Sequence, residues 1–292
     1  MGKAAFTAKL IPNANGSTPL GPVILSQTRV SLSLALLFPL LLLIGGREAV
    51  RFPRREMVRS MVLGILGLAG ANYFYYLAID RSTVATAIIV QYTAPVWVLL
   101  YMVARGFQRP TAQRILAVAL AVVGAALAIG VLNSAQIKAN VSGIIASLGA
   151  AFSFAFYTVY GHDVLSSNPR WKVTLYALLG ASLFWLILNP PNRIIAAHYS
   201  GNQWLFLLVF SVTSMLVPIA FYFSGLQHLD ATRAIVTSCL EPIFAILCAA
   251  IFLHEGLSWI QVVGVVIVLV ATVIVQLPDP GSMAQKTVNG AS

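Results

Sequence analysis

The sequence predicts an all-α integral membrane protein, and three observations carry that prediction. Charged residues make up only 9% of a 292-residue chain that is 59% hydrophobic, whereas soluble domains carry about a quarter charged residues. The apolar residues gather into runs close to the roughly 20 residues that carry a helix across a bilayer. Most basic residues fall between those runs, not within them. No aqueous fold could bury the apolar surface implied by a mean hydropathy of +0.87.

The runs cover residues 22–45, 58–79, 84–104, 113–132, 141–161, 173–189, 204–224, 233–253 and 257–277. In hydrocarbon the backbone must satisfy its own hydrogen bonds, so each run is a helix unless the chain closes a barrel. Barrel strands are about half as long and alternate in polarity, and these runs do neither. The first ends at Gly45 and Gly46 and gives way to the basic loop REAVRFPRRE. The second carries Gly64, Gly67 and Gly70, small residues that let helices approach closely. The third and the eighth contain Pro95 and Pro242. The fourth follows the loop residues Arg109 to Thr111 and carries Gly124, and the fifth opens with Gly143. Turn-forming NPPN closes the sixth, and LPDPGS closes the ninth. Trp97, Trp171, Trp185, Trp204 and Trp259 are read as interface anchors, and histidines 162, 198, 228 and 254 as solvated loop residues. Cys239 and Cys248 lie nine residues apart in one run, a spacing that suits neither a disulfide nor a metal site. The sequons at Asn15 and Asn140 are given no function.

The formal net charge of +10 orients the chain in a membrane, and nucleic acid is excluded as a partner. Twelve Lys or Arg residues, from Arg47 to Lys286, fall on one face, against Arg81, Lys138 and Arg193 on the other. Lys and Arg accumulate in cytoplasmic loops, which places the C-terminus in the cytoplasm and the protein in the cell membrane. The N-terminal residues lack the long apolar core of a signal peptide.

Sliding the chain against itself by 147 residues sets ATAIIVQYTAPVWVLL over TRAIVTSCLEPIFAIL without a gap. Phe74, Tyr75, Ala87, Ile88, Pro95 and Leu100 then face Phe221, Tyr222, Ala234, Ile235, Pro242 and Leu247. The expected organisation is a first repeat over 1–132, a second over 141–277 and a cytoplasmic tail over 278–292. An offset of five helices inverts one repeat relative to the other, as in many secondary transporters, with the binding site between them near the midplane.

These segments, with NVSGIIASLGAAFSFAFYTVYGHDVL and the Glu241-Pro242 and Glu255-Gly256 pairs, resemble the EamA-type members of the drug/metabolite transporter superfamily. The resemblance covers nearly the whole chain. It implies a ten-helix fold of two inverted five-helix repeats and the transport of small metabolites such as amino acids, often outward. The N-terminus departs from the pattern. Gly2 and Lys9 resemble only the last turns of the family's first helix, a remnant over 2–12, so nine complete transmembrane helices are expected. A start assigned downstream of the true one, or a trimmed chain, is the first reading of this departure and a true nine-helix protein the second; a missing helix would leave packing faces open.

Ionisable groups at bilayer depth cost roughly 2.5–3.5 kcal/mol on insertion scales. Glu241, beside Pro242, is therefore read either as a protonatable or substrate-binding carboxylate or as a structural one bonded near the proline kink. Arg29 is read first as a snorkelling anchor and second as a ligand for a substrate carboxylate. The candidate cavity lining is Asn72, Tyr73, Tyr76, Gln91, Tyr92, Ser153, Tyr157, Tyr160, Tyr222, Ser224 and Glu241. Asn72 and Tyr76, four residues apart, share a helix face. Such groups hydrogen-bond or stack on a solute without placing net charge in a pocket.

The expected function is alternating access around a central cavity, with a small metabolite and the lipid bilayer as partners and no cofactor or metal; Glu241 is the candidate for proton coupling, with facilitated or exchange transport the alternatives. No GxxxxGK[ST] motif marks ATP as the energy source. The alternatives are a membrane-embedded enzyme, which needs paired acids or a nucleophile–base set within the spans, and a receptor or scaffold. Oligomeric state and substrate identity are not legible.

Overall fold

The computed structural model describes residues 22–130, 140–190, 194, 200–252 and 258–278. Gly2, Lys9, Asn15, Lys138, Arg193, His198, His254, Glu255, Gly256 and the tail with Lys286 lie outside them. Among the described residues every regular element is helical. In chain order these are α1 (Pro22–Val50), α2 (Arg54–Arg81), α3 (Val84–Gln91), α4 (Ala94–Ala104), α5 (Ala112–Ala128), α6 (Val141–Ser166), α7 (Arg170–Leu188), α8 (Gly201–His228), α9 (Ala231–Ser238), α10 (Glu241–Phe252) and α11 (Trp259–Gln276). Among the described residues eight stretches are long and apolar enough to cross a membrane, and α5, at 17 residues, is a shorter apolar helix. The protein is thus an all-α, multi-pass membrane protein.

Two of the nine apolar runs are not single helices. The third stops at Gln91 and restarts at Ala94, and the eighth stops at Ser238 and restarts at Glu241. The proline ring explains both stops, because it clashes with the carbonyl four residues earlier and lacks an N–H. Four residues before Pro95 is Gln91, and four before Pro242 is Ser238. Tight bonds carry the chain through each break: Val96 N–H to the Thr93 carbonyl at 2.9 Å, Leu240 N–H to that of Thr237 at 3.0 Å. Two other helices contain a widened π turn, Leu63–Ala69 in α2 and Val212–Leu216 in α8. Within α1, Gly46 takes φ 58°, a conformation that glycine supplies without strain.

Helix boundaries recur at the offset of 147. Arg54 and Gly201 start α2 and α8, which end at Arg81 and His228; Val84 and Ala231 start the short helices that end at Gln91 and Ser238. Ala94 pairs in the same way with Glu241, and Ala112 with Trp259.

The chain divides into two compact units, Met1–Gln91 with Lys138–Asp230, and Tyr92–Ile137 with Ala231–Ser292. In the first, α6 packs on α2 and α3, while α7 packs on α1 and α2. The α2–α7 crossing is close because glycines sit on both sides of it. A Cβ on Gly64 would strike the Ala177 backbone, and one on Gly180 that of Met61. In the second unit, α5 presents Ala117, Ala121, Gly124, Ala125 and Ala128 to α11, whose facing residues include Gly264, Val268, Ala271 and Val275. Small residues at helical spacing let two backbones approach, and in lipid such packing supplies much of the association energy. Leu99, Val236, Cys239 and Ile243 complete this core.

Two smaller expectations change. Trp185 is 1% exposed and so is a packing residue, unlike the exposed Trp171, Trp204 and Trp259. His162 is not in a loop, because α6 runs on to Ser166; its Nδ1 lies 2.9 Å from the Leu226 carbonyl. Asn140 caps α6, its side chain accepting from Ser142 N–H at 3.2 Å.

Candidate functional site

Polar side chains within the spans of the first unit meet in distinct places. One turn into α1 the sequence reads SQTR, and its Ser26, Gln27 and Thr28 are buried while Arg29 is half-buried. Ser26 Oγ donates to the Tyr76 hydroxyl at 2.8 Å, and Arg29 Nη2 donates to Asn72 Oδ1 at 3.1 Å. Asn72 Nδ2 in turn donates to the Leu68 carbonyl at 2.7 Å, which fixes the amide so that its oxygen faces the guanidinium. Residues three apart on α1 thus bond to residues four apart on α2, forming two rungs between the helices. A third contact closes the layer: Gln27 Nε2 donates to the Asn189 carbonyl at 2.8 Å and Gln27 Oε1 accepts from Asn189 Nδ2.

Tyr73, on the same helix, makes different contacts. With Gly70, Phe74, Ser153, Phe156 and Phe184 it lines a largely apolar cavity of about 470 Å³, and its ring meets that of Phe184 edge-on at 5.9 Å. Tyr157 is buried and stacks on Tyr222 at 5.3 Å. The Tyr222 hydroxyl and Thr158 Oγ1 are 2.6 Å apart. Tyr160 stacks on Phe156 at 4.9 Å, beneath the Arg59 guanidinium. Ser224 Oγ accepts from Arg170 Nη1 at 2.8 Å. Gln91 is half-buried at the end of α3. Of the sequence candidates in this unit, the structure therefore brings together Tyr73 with Ser153 and Tyr157 with Tyr222, and sets Asn72 and Tyr76 on adjacent rungs against α1. These groups occupy separate contacts, and only Tyr73 and Ser153 line the cavity described.

One cluster had no counterpart in the sequence reading, where Arg59 counted only as an orienting charge. Arg59 Nη1 donates to Glu56 Oε2 at 2.9 Å while Nη2 pairs with Asp163, and Asn168 Nδ2 donates to Glu56 at 2.8 Å. The signal available was a set of acids, Glu56 and Asp163, at the ends of apolar runs, where ions normally need partners.

In the second unit the two proline breaks supply the polar contact. Tyr92 lies in the turn between α3 and α4, and Glu241 is the first residue of α10. The Tyr92 hydroxyl donates to Glu241 Oε2 at 3.2 Å. Glu241 is exposed, and its carboxylate in the first turn is favoured by the helix dipole. Trp97 Nε1 donates to Thr93 Oγ1 at 3.2 Å, supporting the turn from the α4 side. A broken helix leaves backbone groups without helical partners at membrane depth, where they can serve a solute or an ion.

Paired polar groups between apolar spans, with two helices broken at matching positions, define a polytopic helical membrane protein of the kind that moves solutes. The chain belongs to the EamA-like transporter family, which it matches over residues 14–130 and again over 141–277. It is 20% identical to the uncharacterized inner membrane transporter YicL of Salmonella typhimurium strain LT2, over 77% of this chain and 74% of that protein. It is 26% identical to an uncharacterized transporter of Archaeoglobus fulgidus, over 72% and 75%. The threonine/homoserine exporter RhtA of Escherichia coli K12 is 24% identical over 76% and 72%. A protein of known crystal structure shares the fold with a TM-score of 0.72 at 18% identity, over 94% of this chain and 91% of that one.

Proposed function

We propose that this transporter is a secondary one that exports small metabolites, amino acids or related solutes, across the cell membrane by alternating access. Residues 1–132 and 141–277 are taken as inverted repeats. One observation carries the reading: the proline breaks of α3–α4 and α9–α10 fall at the same positions of the two halves. Interrupted helices in corresponding places are the usual sign of a solute site built from both repeats. Tyr92 and Glu241, one from each half, meet at these breaks, and Glu241 is assigned proton coupling. The relatives that export threonine and homoserine support an amino-acid-like solute. The charge asymmetry supports a cytoplasmic C-terminus, and family membership supports a non-enzymatic role.

The test is flux. The purified full chain in proteoliposomes, loaded in turn with each of a panel of labelled amino acids, is expected to release at least one saturably, with competition by its unlabelled form. Chemical turnover of a panel member without any flux would replace this reading with a membrane-embedded enzyme.

A further inference from the structure

Arg29 is a cation within a membrane-spanning helix that no carboxylate neutralises among the described residues. Its one hydrogen bond there is to a neutral amide, Asn72 Oδ1, and its Nε is buried without an acceptor. It lies five residues inside the span Ile24–Val50, and Asn72 lies nine residues from the end of Arg54–Arg81. At 1.5 Å per residue these are depths of roughly 7 and 13 Å. A snorkelling cation would turn its head to the interface. This one is instead bonded to a side chain deeper than itself, and that side chain is held by the Leu68 carbonyl. That one bond holds the head of the guanidinium at this depth while leaving most of its five donors unused among the described residues. One helical turn away, the Ser26 and Tyr76 hydroxyls form the neighbouring rung and can supply further hydrogen bonds to the same ligand.

A half-buried cation within a span, retained without a counter-ion among the described residues, is expensive, and such groups mark ligand paths by default. The ligand that offsets the cost is an oxyanion of planar, two-oxygen geometry, which a guanidinium grips through paired parallel bonds. We propose that Arg29, oriented by Asn72 and flanked by Ser26 and Tyr76, binds the carboxylate of the transported solute. The inference rests on the transporter reading and narrows its substrates to carboxylate-bearing solutes. A lipid phosphate shares the oxyanion chemistry, so the experiment separates the two sources.

The test uses the purified full chain in phosphatidylcholine nanodiscs, with thermal stabilisation by L-amino acids and by their primary amides as the binding readout. At least one acid is expected to stabilise the wild type, with its amide at least about tenfold weaker, a difference of about 1.4 kcal/mol. Arg29→Gln should erase that preference, and Arg29→Lys, a point charge without the fork, should keep part of it. Asn72→Asp should supply an internal carboxylate, raising the melting temperature while blocking the acid. Because that variant gains stability, its loss of binding cannot be ascribed to misfolding. The proposal is overturned if Arg29→Gln binds the acid within about twofold of wild type, if acid and amide bind alike, or if no acid binds. It is also overturned if stabilisation needs anionic lipid in place of added acid. Flux in proteoliposomes separates the two readings. Arg29-dependent binding without flux defeats the transporter reading and leaves the site, whereas flux indifferent to Arg29 and to the carboxylate does the reverse.

Discussion

The α2–α7 crossing makes a quantitative demand on Gly180. An ideal Cβ added there would stand 2.8 Å from the Met61 Cα and 2.9 Å from its carbonyl carbon. Unstrained carbon pairs sit about 3.5–4.0 Å apart, so the helices must separate by about 0.7–1.2 Å. The obstacle is backbone, not the end of a flexible side chain, so no rotamer change relieves it. Overpacking of this kind costs about 1–3 kcal/mol. Alanine also returns up to about 1 kcal/mol of helix propensity, which must be separated from the steric cost. Gly225 provides the control, since it lies in α8 with nothing within 4 Å of an added Cβ. Gly180→Ala and Gly225→Ala share the propensity gain, and their difference isolates the crossing. At about 2–4 °C per kcal/mol, Gly180→Ala should melt at least about 2 °C below Gly225→Ala when followed by fluorescence-detected size exclusion. Gly64→Ala should resemble Gly180→Ala and add to it less than fully, because the first substitution already parts the helices. Equal melting of Gly180→Ala and Gly225→Ala would refute the close-approach argument.

Other consequences can be checked with the same preparations. If Glu241 carries the coupled proton, an imposed pH gradient should drive wild-type flux and leave Glu241→Gln unresponsive; a mutant that still follows the gradient rules that role out. Asn189→Ala should leave Gln27 Oε1 buried without its donor, Gln27 being 1% exposed, and should cost about 1–3 kcal/mol. Adding Gln27→Leu removes the orphaned amide and should recover part of the loss in a double-mutant melt. If the aromatic and amide set lines the solute path, Tyr76→Ala or Gln91→Ala should weaken solute binding by titration while expression and monodispersity stay normal.

The nine apolar runs were legible because hydropathy is a property of composition over about 20 residues, which sequence reports directly. The breaks at Gln91 and Ser238 were less so. A hydropathy window reads Pro95 and Pro242 as two apolar residues among many, whereas their effect falls four residues upstream, on a carbonyl. The shared face of Asn72 and Tyr76 followed from helical spacing alone. That they meet Arg29 and Ser26 did not, because the register of one helix against another depends on packing of small residues across the whole interface. The Arg59 cluster was hidden for a different reason: Glu56 and Asp163 are 107 positions apart in sequence, and a charge count over loops treats each ion as isolated. His162 was misplaced because its helix runs five residues past the apolar run, to Ser166, whereas the end of the Trp185 run was placed within a residue and only the inward packing of that ring was not legible.

The proline breaks bear on how such a protein could move. In each broken segment, the chain gives up hydrogen bonds that a continuous helix would make, and in lipid those are not replaced by water. Proline holds the break open, because an interior proline costs about 3 kcal/mol relative to alanine while the first turn of a helix tolerates it, as at Pro95 in α4. Replacing Pro95 or Pro242 by alanine makes that energy available to an unbroken helix. The Tyr92–Glu241 contact depends on both breaks, since each residue sits at or beside a turn. Straightening either helix would move one partner. Pro95→Ala and Pro242→Ala are therefore expected to raise the melting temperature and to slow flux several-fold, both in the same direction because the two breaks occupy equivalent positions. Backbone hydrogen exchange at Tyr92 to Val96 and at Cys239 to Ile243 gives the local readout, with protection rising in the variants. Unchanged flux together with risen protection would mean that the breaks are packing features only, and the mobile element would have to lie elsewhere, with the π turns of α2 and α8 the next place to test.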